Sequence, residues 1–177
     1  MSERSKRGQN SGLDRKTLTI ERVYRASKKD VWGLWTTKDG IESWWGPGGF
    51  KVAVRTLDLR PGGELRYAMT AVDPDQVAFM LEHDMPLTTE AYLTYIEIVP
   101  QQRLAYVHAA DFIPGVEPYG VSHVIELHQL QGGTVRMTLT IQAMHDKEWT
   151  DRAIAGWESE LGKLESVLAM RVLSGNA

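Results

Sequence analysis

The most regular apolar pattern in the chain lies near its end, where Trp157, Leu161, Leu164 and Leu168 recur at intervals of four, three and four residues. That is the period of one helix face, and Ile154 before it and Arg171 or Val172 after it extend the stripe. Asp146 stands where a cap belongs, so the pattern predicts one amphipathic helix of about seven turns. Upstream the period falls to two. Leu18, Ile20 and Tyr24 alternate with polar residues in a first strand, and Lys51 to Leu59 reads as another. Arg60-Pro61-Gly62-Gly63-Glu64 then turns the chain into Leu65, Tyr67 and Met69 as a hairpin. Further strands are predicted over Thr89–Val99, Arg103–Ala109, Val121–Gln129 and Thr134–Ala143. Their breaks are Pro100-Gln101-Gln102, a loop from Asp111 to Gly120 that contains proline and glycine, and Gly132-Gly133.

Three short helices interrupt this series. Ser27 caps one that carries Val31, Leu34 and Trp35, and a second runs from Lys38 to Trp44 before Gly46-Pro47-Gly48-Gly49 ends it. Asp73-Pro74-Asp75 begins a third, inserted over residues 74–83, with Met85-Pro86 behind it. The expected fold class is α+β: a curved antiparallel sheet of about seven strands around the long C-terminal helix, with two short helices after strand one. A lone long helix must bury its stripe against the sheet, and a sheet curved around one helix leaves a space between them.

A length of 177 residues suits a single domain, expected over 17–173, with residues 1–16 as a disordered tail of Arg, Lys, Ser, Gly, Asn and Gln. A net charge of −3 gives no field to attract nucleic acid or an acidic membrane. The chain contains no cysteine, which removes disulfides and thiolate metal sites and suits a reducing compartment, so a cytoplasmic location is expected. No run approaches the roughly 18 apolar residues of a membrane span, and no apolar stretch follows the basic residues of the tail as a secretion signal would require.

The order of elements resembles the helix-grip fold of the START-like SRPBCC superfamily. Local wording narrows this: Val31-Trp32, Trp44-Trp45-Gly46-Pro47, Asp58-Leu59-Arg60-Pro61-Gly62-Gly63, Glu97-Ile98-Val99-Pro100 with Arg103-Leu104, and Gly156-Trp157 with Leu161, Leu164 and Leu168. Together they resemble the domain of the activator of the heat-shock protein 90 ATPase and its bacterial relatives, over about residues 17–170. The inserted helix and the 111–120 loop depart from the shorter connections of that family. The resemblance implies a fold and a cavity between helix and sheet. It implies no particular reaction, since this fold hosts binders, carriers and enzymes.

Alternation assigns Leu104, Tyr106 and His108, then His123, Ile125 and Leu127, then Val135, Met137, Leu139 and Ile141 to the cavity face. The candidate ligand-binding set is Trp45, Phe50, Tyr67, Tyr95, Tyr106, His108, His123, Met137, Trp157 and Leu161, with Phe79 and Met80 on the inserted helix as a lid beside Phe112 and Tyr119. A filled core with two hydrogen-bonded, inert histidines is the competing structural reading. No metal site is expected: Glu82, His83, Asp84, His108, His123, His128 and His145 show no ligand spacing. No cofactor is expected, since nucleophile-elbow, Walker and dinucleotide motifs are missing. The leading expectation is a binding protein for a small apolar or aromatic molecule. The alternatives are an enzyme using His108 or His123 as a general base, and a protein-interaction module, either a homodimer or a chaperone cofactor.

Overall fold

A computed structural model describes residues 15–175. Seven strands form one antiparallel sheet in the order β1-β7-β6-β5-β4-β3-β2, where β1 is Thr17–Tyr24, β2 Phe50–Leu57, β3 Glu64–Ala71, β4 Thr88–Val99, β5 Arg103–Ala110, β6 Tyr119–Gln129 and β7 Val135–Gln142. Consecutive strands from β2 to β7 are neighbours, so the sheet is a meander closed off by β1. The chain crosses from the β1 edge to the β2 edge through α1 (Lys28–Thr36) and α2 (Lys38–Trp44). Interruptions of the ladder between Val54 and Thr56 and between Tyr95 and Glu97 are the irregularities that bend a sheet.

The local signals act as their chemistry requires. Ser27 Oγ accepts from the Asp30 N–H at 3.0 Å, and Thr37 Oγ1 does the same for Gly40 at the start of α2. Asp73 caps α3 (Pro74–Glu82), and Asp146 Oδ1 accepts from the Trp149 N–H at 2.8 Å where α4 (Lys147–Gly175) begins. At the β2–β3 turn a Cβ on Gly63 would meet the Asp58 carbonyl oxygen at 2.1 Å, so only glycine is accommodated there.

The core lies on one face of the sheet. Leu104 and Tyr106 of β5, His123, Ile125 and Leu127 of β6, and Val135, Met137, Leu139 and Ile141 of β7 are all buried, which is the inward register that alternation assigns. Leu161, Leu164 and Leu168 of α4 cover them, while Trp157, the first member of the same stripe, is only half-buried. At the β1 end, Arg15 and Lys16, expected in the tail, are tied to the sheet instead. Arg15 lies over the Tyr119 ring at 4.5 Å and reaches Gln142, and the Lys16 carbonyl accepts from the Ala143 N–H. The remainder of the expected tail lies outside the described residues.

Because Leu164 is fully buried at the centre of this grip, Leu164→Ala should lower the unfolding free energy in urea by about 2–5 kcal/mol.

Candidate functional site

Where α4 is not in contact with the sheet, a cavity of about 240 Å³ opens between them. Its helical wall is Ala153, Gly156, Trp157 and Glu160, which fall on one face of α4, and its sheet wall includes Tyr67, His108, His123 and Ile141. Trp45 and Pro47, from the segment after α2, line a third side, and Phe112 and Met144 border it near the start of α4. Small residues make the space. A Cβ on Gly156 would meet no atom within 4 Å. The Trp45 and Trp157 indoles stand nearly perpendicular with centroids 5.9 Å apart, which forms an aromatic corner, and Trp35 and Trp44 pack behind it. Gly46, at φ +88°, turns the chain after this pair, and its carbonyl accepts a hydrogen bond from Lys163 Nζ at 2.9 Å.

Polar groups on this apolar wall are few. The Tyr67 hydroxyl and His108 Nε2 are 2.8 Å apart. His123 Nδ1 donates to the Val121 carbonyl at 3.0 Å while its ring stacks on Tyr106, which leaves Nε2 as a bare acceptor. Burial pulls both imidazoles below their usual range, His123 down to about 3 with a smaller contribution from His108 beside it, so both are neutral at physiological pH. Glu160 behaves in the opposite sense. Burial pushes its carboxyl up to about 7 against the weaker pull of the Lys163 ammonium.

The sequence profile of the "Activator of Hsp90 ATPase homolog 1-like protein" family matches residues 25–169, most of the chain. The chain belongs to this family. Solved structures carry the same fold at low sequence identity. A protein from Chromobacterium violaceum superposes with a TM-score of 0.70 at 21% identity, covering 86% of this chain and 96% of its own. An AHSA1-like protein from Aeromonas hydrophila gives 0.68 at 20% identity, covering 89% of this chain and 95% of its own. A protein from Mycobacterium smegmatis gives 0.67 at 22% identity, covering 89% of this chain and 94% of its own. No protein with a curated description matches. Architecture and family together make this a helix-grip domain of the SRPBCC superfamily.

Within this Hsp90-activator-like domain, Trp45, Tyr67, His108, His123 and Trp157 converge on the cavity as the sequence reading expects. Tyr95, Tyr106, Met137 and Leu161 do not reach it: they are buried deeper along the strands and under the leucines of α4, and act as core. Phe50 is half-buried at the start of β2, outside the lining. The lid residues are also displaced from their expected place. Backbone hydrogen bonds from Ala71 to Leu87 and from Val72 to Gly49 pin both ends of the insertion at the rim of the sheet. There Phe79 stacks on His83 at 4.1 Å, Met80 is buried apart from the main core, and no α3 side chain lines the cavity. Phe112 packs against Trp149 at the other end, and Tyr119 bonds His145 Nδ1 at 2.8 Å. Burial disfavours the charged ring of both imidazoles in the cavity and pulls their titration down, away from neutrality. Glu160, which the sequence analysis does not single out, is the group that burial brings close to neutrality. Its signal was its position three residues after Trp157 and one before Leu161, at the edge of the apolar stripe.

Glu160 holds its proton more tightly when folded than when unfolded, so its contribution favours the fold below its ordinary value of 4.5 and is lost as pH rises through about 7. Glu160→Gln should therefore stabilise the protein at about pH 8 by about 1–2 kcal/mol, allowing for its partial solvent contact, and by nothing near pH 4. Urea melts at the two pH values measure the difference.

Proposed function

We propose that this protein binds a small, mostly apolar or aromatic molecule in the cavity between α4 and the sheet. The observation that supports the reading is the composition of the helical wall. At Ala153 and Gly156, where a packed core would need large side chains, α4 presents almost none, and the space left is lined by Trp45, Trp157 and the neutral histidines. A glycine inside a helix costs stability relative to alanine, so its place on this wall serves the cavity and not the helix. At about 240 Å³ the space holds the volume of about eight waters, which suits a ligand of one or two rings.

A cytoplasmic setting accords with the lack of cysteine, and among the described residues no helix is long and apolar enough to cross a membrane. Acid–base catalysis in the same cavity is the second reading, favoured by a Glu160 carboxyl that exchanges its proton near neutrality.

Native mass spectrometry of freshly expressed protein tests the binding reading directly through retained small molecules. The matched control is Gly156→Leu, which fills the cavity and improves helix propensity. It should raise the melting temperature by a few degrees while cutting ligand occupancy at least about tenfold. Unchanged occupancy in that variant would place the ligand elsewhere.

A further inference from the structure

Among the described residues that line the cavity, Glu160 is the one carboxylate, and the lining contains no lysine or arginine. The nearest cation, Lys163, lies on the same helix and directs its ammonium to the Gly46 carbonyl, outside the lining. Glu160 itself accepts no hydrogen bond from the described residues. Three of the other polar side chains at the wall are already engaged: the Tyr67 hydroxyl and His108 Nε2 share a hydrogen bond of 2.8 Å, and the His123 Nδ1–H donates to the Val121 carbonyl. Apart from the indole N–H groups, what remains on offer is the Glu160 carboxyl and the bare Nε2 of His123, which can both accept. Beside them stand two perpendicular indole faces, with the His123 ring 5.4 Å from Trp157.

From this arrangement we infer that the ligand is a small organic amine, its ammonium held by Glu160 and the faces of Trp45 and Trp157, and its apolar body against Tyr67, Val121 and Ile141. A cation completes the site chemically. It supplies hydrogen-bond donors to these two acceptors, is attracted by the indole quadrupoles, and pairs a carboxylate that burial otherwise discourages from ionising. An anionic ligand would face the same carboxylate with no positive partner. A neutral alcohol would gain one hydrogen bond and no charge pairing.

The inference rests on the cavity being a ligand site, and three isosteric probes separate the two ideas: phenethylamine, 2-phenylethanol and phenylacetate, titrated calorimetrically into the intact protein. The amine should bind at least about tenfold more tightly than the alcohol, and phenylacetate most weakly. In Glu160→Gln the amine should lose most of this advantage, its preference over the alcohol shrinking to within about threefold. Amine affinity should also rise between about pH 5.5 and pH 8 as Glu160 loses its proton. The groups facing Glu160 across that range are Lys163 on α4, Tyr67 on β3, Tyr106 and His108 on β5 and His123 on β6; burial favours the neutral form of each phenol and imidazole. Equal binding of amine and alcohol, or tighter binding of phenylacetate, overturns the amine inference and leaves the binding site standing. Failure of all three to bind removes both. Amine binding that survives Gly156→Leu would put the amine outside the cavity and overturn the inference as well.

Discussion

A straight helix cannot follow a curved sheet along its whole length, and this mismatch organises the molecule. With 29 residues, α4 extends for about 43 Å, and its buried residues, Leu161, Leu164 and Leu168, all lie in its second half. They bind that half into the main core, and α4 contacts α1 and α2. The first half stands off, and there the helix carries Ala153, Gly156 and Glu160 on its inner side. Packing along one part of the helix therefore sets the depth of the space under the other part.

That geometry needs a fixed corner, which the tryptophans supply. Trp35, Trp44, Trp45 and Trp157 meet within 4.7 to 6.0 Å of one another, centroid to centroid in each contacting pair. The Trp44 indole N–H donates to the Leu34 carbonyl at 2.8 Å and locks α2 onto α1. Lys163 then ties α4 to Gly46, just past the corner. Trp45 and Trp157 consequently face the cavity from a rigid support, and a ligand ring would meet surfaces already in place.

Low polarity does the rest. The wall that keeps His108 and His123 neutral also keeps the Glu160 carboxyl near neutrality, because each group is deprived of the water that would stabilise its charge. Burial thus moves the histidines away from acid–base work and brings a glutamate toward it, an inversion of the roles that residue type alone suggests.

Element types and order were legible in the chain because they are local: the 3–4 spacing of Trp157, Leu161, Leu164 and Leu168, the alternation of β5 to β7, the caps at Ser27, Asp73 and Asp146, and the turn at Gly62-Gly63. Alternation also settled which side chains point inward, and so brought Tyr67, His108 and His123 to one face. It could not say how far along that face the helix stays in contact. Tyr106, Met137 and Leu161 share the inward register with the cavity residues, yet lie under the leucines of α4 and are core. The placing of α3 at the rim, with Phe79 and Met80 off the cavity, follows from hydrogen bonds between segments distant in sequence, such as Val72 to Gly49. Periodicity is a property of neighbouring residues, whereas depth, dielectric and the charge state of Glu160 depend on what the rest of the chain brings alongside, and only the tertiary structure decides that.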